Sequence, residues 1–406
     1  MPSSAPRYLR PDSVPHLSTL ILLVGTGALA INIFLPSLQN IAAQFDAPYA
    51  QAQLLVAGYL AASGVVQLLA GPFADRYGRR PVILFGLVVF VLASVGCLLA
   101  NSFETLLACR ILQASAAIGM AIGRAAVRDI YTGDRATSAM AYVMMGVSVV
   151  PMISPAIGGF LDQFFGWRAS FWVLLVTGVL VLLLCWRDLG ETAEPSDKSI
   201  LSQFAEFPEL LTSPRFLGYC LTCMCSAGTW FGYLGGAPFV GTVVFGLTPA
   251  TFGLFTATPA VGYFLGNWLT GTVSQRIGLN RMILAGLLMM LVVIALAYGL
   301  AVAGLSSAYS FFGLMIFIGM GNGMVIPTTT TGMLSVRPKL AGTAAGLGGA
   351  LMIGGGAVFS AVAGAILGPG STEAPLMLFF LLLLAIGVLL ILMVMRRERK
   401  LGLAGV

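Results

Sequence analysis

Residues 71–83 read Gly71-Pro-Phe-Ala-Asp75-Arg76-Tyr-Gly78-Arg79-Arg80-Pro-Val-Ile83, and residues 271–283 read Gly271-Thr-Val-Ser-Gln275-Arg276-Ile-Gly278-Leu-Asn-Arg281-Met-Ile283. A glycine, an arginine and a second glycine recur at an offset of 200 residues, each time in a polar break between two long apolar stretches. The repeat predicts a membrane chain built from two similar halves, with a charged hinge loop in each. Paired halves around a midplane site are the logic of secondary transporters.

Composition agrees with a membrane chain. Apolar residues make up 58% of the 406 residues and charged residues 9%, against about 25% charged in soluble domains. Mean hydropathy is +0.96, which excludes a water-soluble domain with a polar surface. The 50 glycines suit membrane helices whose backbones approach closely.

A spanning helix needs about 20 mainly apolar residues. Twelve stretches qualify, near 17–36, 50–72, 81–101, 105–127, 139–161, 169–187, 216–240, 250–272, 282–303, 308–330, 343–367 and 375–395. The expected fold is an all-α membrane protein of twelve transmembrane helices in two pseudo-symmetric six-helix bundles. The expected organisation is a tail at 1–16, a bundle at 17–187, a linker at 188–215, a second bundle at 216–395 and a tail at 396–406. In the fourth and tenth stretches, Gly119-x3-Gly123 and Gly319-x3-Gly323 repeat the same offset and are read as equivalent.

Of the 21 basic residues, 18 fall in loops or tails on one side, among them Arg76, Arg79, Arg80, Arg276, Arg281 and Arg396 to Lys400. The opposite loops carry only Arg168, and Arg110 and Arg124 lie within the fourth stretch. The positive-inside rule then places both termini and the linker in the cytoplasm. Basic charge set out in this way marks topology, and no nucleic-acid partner is expected.

Several chemistries lack their parts. The chain has one histidine, His16, ahead of the first stretch. Cys220-x2-Cys223-x-Cys225 has the outline of a metal knuckle, but lies in an apolar stretch and reads as small packing side chains. No metal site is expected. There is no phosphate-binding Gly-rich loop with Lys and no nucleophile–histidine pairing. Direct ATP drive and hydrolysis are therefore set aside, leaving a secondary transporter rather than an enzyme.

The segment from Gly71 to Arg80 resembles the signature loop of the major facilitator superfamily. The resemblance implies a gate involving Gly71, Asp75, Arg76, Gly78, Arg79 and Arg128. Physically, Asp75 at a helix end can pair with arginines or cap a facing helix, Gly71 permits close approach and Gly78 a tight turn. Gln275 denies the second copy this acid. Leu35-Pro36-Ser37-Leu38, Arg110-Ile-Leu-Gln113-Ala114 and Val127-Arg128-Asp129-Ile130-Tyr131 resemble the Bcr/CflA-type drug-resistance branch, which includes chloramphenicol and bicyclomycin exporters. Pro151-x3-Pro155-x2-Gly158-Gly159 resembles the antiporter motif of such exporters, with Ser154 where they carry glycine. The resemblance implies a monomer in the bacterial inner membrane that exports small amphiphilic drugs by alternating access, with the proton as coupling ion and no other cofactor. Membrane lipid and a drug-like molecule are the expected partners.

Arg110 is a charge inside a membrane stretch, at a cost of roughly 2.5–3.5 kcal/mol or more at the centre of a span. The resemblance ties it to proton coupling; a structural arginine bonding a neighbouring helix is the alternative. Gln113 shares its helix face. Asn32 stands where the branch has an aspartate, and an amide cannot titrate. Three readings stay open: a charge-neutralised variant, coupling at another acid such as Asp46 or Glu104, or uncoupled facilitation or uptake. Candidates to line a substrate cavity are Asn32, Tyr59, Gln67, Arg110, Gln113, Ser148, Trp230, Tyr233, Tyr263, Asn267 and Asn322. Met120, Met145, Met152 and Met352 offer adaptable apolar contact. Trp230 with Tyr233 one turn on is the favoured aromatic pair.

Overall fold

The computed structural model describes residues 15–130, 133–192, 207–337, 340–368 and 370–402, without the side chains of 128, 129, 133–142, 144–148, 152, 275, 341, 342 and 345. Arg7 and Arg10, most of the acidic linker, and the side chains of Arg128, Gln275, Ser148, Met145 and Met152 lie outside what is described.

Among the described residues twelve long helices follow one another, the first six being α1 Leu17–Asn32, α2 Leu54–Tyr77, α3 Arg79–Leu99, α4 Phe103–Leu112 continuing as Ala116–Ile130, α5 Gly133–Phe165 and α6 Arg168–Asp188. The second six are α7 Pro214–Phe239, α8 Thr258–Ile277, α9 Leu279–Val302, α10 Ala308–Val336, α11 Ala341–Ala365 and α12 Ala374–Lys400. Among the described residues, nine helical segments are long and apolar enough to cross a membrane, the segment ending in Lys400 the most apolar. No strand occurs among the described residues.

Three short elements matter for the site. A 3-10 turn at Leu35–Ser37 and a helix at Leu38–Gln44 extend α1, and a helix at Pro249–Phe255 leads into α8. Pro36 and Pro249 each sit in the first turn of their element, where a missing N–H costs nothing.

Within the first half α1 packs on α4, α5 and α6, and α3 on α6. In the second, α7 packs on α10, α11 and α12, and α8 on α10. The repeat that opens the chain's reading is visible in the backbone. Gly78 has φ 89° and ψ 153°, and Gly278 has φ 85° and ψ 154°, a region essentially closed to residues with a Cβ.

The equivalence of the two Gly-x3-Gly pairs does not hold. Ser102 caps α4 and Ser307 caps α10, so the helix starts are 205 residues apart. One cause is that α9 has 24 residues where α3 has 21. The glycine pairs are thus out of register and meet different neighbours. Gly119 and Gly123 face Leu23 and Val24 of α1, whereas Gly319 and Gly323 lie on the backbone of α8 at Pro259 and Tyr263.

The halves meet mainly through α2 against α11, and α5 against Pro249–Phe255 and α8. On the side away from the basic loops the seam is shut. Gly159 abuts the Pro249 carbonyl, Gly253 abuts the Pro155 carbonyl, and Gln53 Nε2 donates to Ser360 Oγ at 3.0 Å. Midway, Gly64 of α2 lies on the backbone of Gly354. On the basic side Gly71, Gly271, Gly346 and Gly349 face open space. The halves are closed at the far end and parted at the basic end. The close approach expected at Gly71 is therefore missing here, because the helix ends it would join are apart.

Candidate functional site

Arg110 is fully buried in α4, and its surroundings explain how. Its guanidinium lies between the rings of Phe34 and Tyr59, 4.1 and 4.2 Å from their centroids. Desolvated cation–π contacts are worth about 2 kcal/mol each, enough to offset much of the cost of burial. Nη1 donates to Gln113 Oε1 at 2.7 Å and Nη2 to the Ala30 carbonyl at 2.5 Å. Gln113 Nε2 donates to Ser94 Oγ at 2.8 Å, and Ser94 in turn to the Phe90 carbonyl. This chain of bonds ties α3, α4 and α1 together. Among the described residues no carboxylate pairs with Arg110, and its Nε has no acceptor.

Asn32 is buried at the end of α1, and its amide turns back to the Ala28 carbonyl of its own helix at 2.7 Å. Arg110 engages α1 two residues earlier, at Ala30. The position where the branch has an acid thus borders the buried arginine without bonding to it. Tyr59 is buried with its hydroxyl unbonded.

The candidates on the second half divide. Asn322 is buried and bonded to Ser226 and Thr229 of α7 and to the Ile318 carbonyl, so it braces α7 against α10. Tyr233 is buried with an unbonded hydroxyl. Trp230 is half-buried and stacks on Tyr233 with ring centroids 6.1 Å apart. Cys223 lies beside Met352. The residue at the Arg110 position of α10, 205 further on, is the buried Met315. Among the described residues the buried cation therefore belongs to the first half alone.

Two side chains that sequence reading left without a role carry structure here. Arg124 reaches back to the Met120 carbonyl at 2.8 Å and to Gln67 of α2 at 3.4 Å. Being the second basic residue outside the loops, it was marked in the sequence as plainly as Arg110. Glu191, read as part of the linker, accepts from the amides of Arg79 and Arg80 at 2.8 and 3.2 Å. It thus caps the N-terminus of α3, where a negative charge is favoured, and it fills the space above Gly78. Nothing local in the sequence links residues 112 apart.

In the antiporter-motif helix, α5 runs unbroken through Pro151 and Pro155. Gly158 lies on the Ile33 carbonyl of α1, Gly159 on the Pro249 carbonyl, and Pro155 against Gly253. The motif's small residues let α5 press on both halves at once. Glycines lying on facing backbone in this way, a buried charge in one bundle and a seam open at one end describe a multi-pass transporter.

Comparison with known proteins names the class. A model of the Major Facilitator Superfamily matches residues 20–357 and 242–404, and the chain belongs to that family. It is 29% identical to multidrug resistance protein D of Escherichia coli, over 86% of this chain and 89% of that one. To the chloramphenicol resistance protein of Pseudomonas aeruginosa it is 30% identical, with coverages of 85% and 83%. Its place is in the Bcr/CflA-type drug-resistance branch. A bacterial homologue of the lysosomal transporter Spinster, solved in an inward-facing and occupied conformation, shares the fold with a TM-score of 0.71 at 18% identity, covering 95% and 97% of the two chains.

Proposed function

We propose that this protein exports small amphiphilic drugs from the cytoplasm by alternating access, in exchange for protons. The observation that carries the reading is the seam, shut at the far end by glycines lying on facing backbone and parted at the basic end. In the proposed orientation the basic loops and both termini are cytoplasmic, so the arrangement is inward-facing and ready to load. The names of the relatives support drug-like cargo. Trp230 and Met352 would supply broad, adaptable apolar contact. Arg110 would sense charge near α1, since a fixed cation there responds to any proton gained or lost in its surroundings.

A second reading, uncoupled facilitation or uptake, draws on Asn32, whose amide cannot exchange a proton. Chloramphenicol accumulation in a drug-sensitive bacterium, with and without an uncoupler, separates the two. Expression should lower accumulation, and the uncoupler should restore it. Faster equilibration with no lowering, or raised accumulation, favours facilitation or uptake and refutes export of this drug, and lowering that survives the uncoupler refutes proton exchange as the drive.

A further inference from the structure

Beyond the arginine network, one carboxyl is buried at the far end of the seam. Asp162, one turn past Gly158 in α5, is 5% exposed. Its Oδ2 accepts from Asn40 Nδ2 at 2.5 Å. Its Oδ1 makes no hydrogen bond of good geometry, and neither does the hydroxyl of Ser37, which faces the carboxyl and can donate to it.

Among the described residues no cation stands against this carboxyl. The elements around it, α1, the turn Leu35–Ser37, the helix Leu38–Gln44 and the helix Pro249–Phe255, contain no ionisable residue. Asp46 is exposed in the turn beyond Leu38–Gln44. Arg168, which opens α6, is turned to the Ala100 carbonyl at 3.1 Å and to the Trp167 ring. Arg124, Arg128 and Asp129 on α4 lie toward the basic end, as do Tyr263 and Arg276 further along α8. A buried carboxylate without a counter-charge is costly enough that such groups neutralise instead.

Burial at this place depends on state. The helix Pro249–Phe255 belongs to the second half and packs against both α5 and the Leu35–Ser37 turn. Parting the seam would lift that cover from the Asp162–Ser37–Asn40 cluster and admit water.

We propose that Asp162 is a protonation site of the far-side seam, neutral when the seam is shut and ionised when it opens. The site goes beyond the export reading and holds whether or not transport is proton-driven. The sign follows from linkage. The shut seam binds one more proton than the open one, so acid favours the shut state, by up to about tenfold per pH unit.

The test is a distance measurement in nanodiscs. Spin labels at Gln163→Cys on α5 and Leu254→Cys on the facing helix, with Cys109→Ala, report the seam across a pH series. In the otherwise unchanged protein the short-distance population should grow as pH falls. Asp162→Asn, fixed in the neutral form, should hold the short distance at every pH. Asp162→Glu should keep a pH response and serves if the amide variant does not fold. A pH-dependent C=O band of a protonated carboxyl in the infrared spectrum should appear in the protein and in Asp162→Glu, and be missing from Asp162→Asn. The same titration in Asp162→Asn as in the parent, or no pH response in the parent and in Asp162→Glu, overturns the proposal.

Discussion

The hydroxyl of Tyr49, from the first half, sits between the Gly235 carbonyl and the Phe239 amide of α7 in the second. It donates to the former at 2.8 Å and accepts from the latter at 3.2 Å. Residues 235 and 239 are the i and i+4 partners that an uninterrupted helix bonds directly. The site lies where α7 is weakest, since Pro238 lacks an N–H and a π-helical turn follows at Val240–Val244. A side chain of one half thus completes the backbone bonding of the other in the arrangement with the far seam shut.

Tyr49→Phe removes both bonds and leaves the ring contact with Phe239 in place. Each net hydrogen bond is worth about 1 kcal/mol, so the seam equilibrium should move toward the open form by roughly tenfold or more. Thiol-reactive labelling of a cysteine placed at Ser360, which forfeits the Gln53 bond equally in both backgrounds, should be correspondingly faster with Tyr49→Phe than with Tyr49 in place. Unchanged labelling would show that Tyr49 contributes nothing to closure.

The buried arginine gives a different separation. Arg110→Met copies what the second half has at Met315. It removes an unpaired buried charge, a change often neutral or stabilising, at the cost of donors for Gln113 and Ala30. The variant should melt within a few degrees of the parent and confer no drug resistance. Arg110→Lys keeps the charge but cannot reach both acceptors as a planar fork, and should be partly active. Full resistance from Arg110→Met would remove Arg110 from the transport cycle.

The fold was legible because its signals are local and repeated: twelve apolar stretches, one-sided basic loops, and the hinge around Gly78 and Gly278. Arg110 and Gln113 were legible because a charge in an apolar stretch is conspicuous. What escaped depends on distance along the chain. Glu191 over Gly78, Tyr49 on Gly235 and Asp162 beneath Pro249–Phe255 join residues more than 80 apart, and no periodicity encodes such pairs. Asn322 was misjudged as cavity-facing because polarity alone cannot tell a ligand contact from a brace between α7 and α10. The Gly-x3-Gly match misled because an identical offset in sequence concealed an insertion of helix length.

The two hinge glycines, alike in backbone, should differ in consequence. Gly78→Ala incurs the strain of positive φ and also places a Cβ 2.5 Å from Glu191 Oε2, displacing the cap on α3. Gly278→Ala meets nothing within 4 Å and incurs strain alone, of order 1–3 kcal/mol. Thermal unfolding should therefore rank Gly78→Ala well below Gly278→Ala. Glu191→Gln, which keeps the acceptor but loses the charge, should fall between the parent and Gly78→Ala. Equal losses from the two alanine variants would mean that Glu191 adds nothing at the hinge.

The seam glycines allow the same reasoning to separate conformations. A Cβ at Gly159 would overlap the Pro249 carbonyl, whereas one at Gly71 would meet nothing within 4 Å. Backbone atoms on a packed helix cannot give way as a flexible side chain can. Gly159→Ala should therefore exclude the arrangement seen here and trap the protein with its far seam open. Gly71→Ala should leave this arrangement intact and, in the proposed cycle, hinder closure at the basic end. Paired spin labels across each seam would read the two effects: a longer far-side distance for Gly159→Ala alone, and a longer basic-side distance for Gly71→Ala alone. Resistance should fall in both, since a cycle blocked at either end moves no drug. A Gly159→Ala protein with the parent's far-side distance would show that α5 can slide along Pro249–Phe255 to make room, so that the glycine would not be what permits closure.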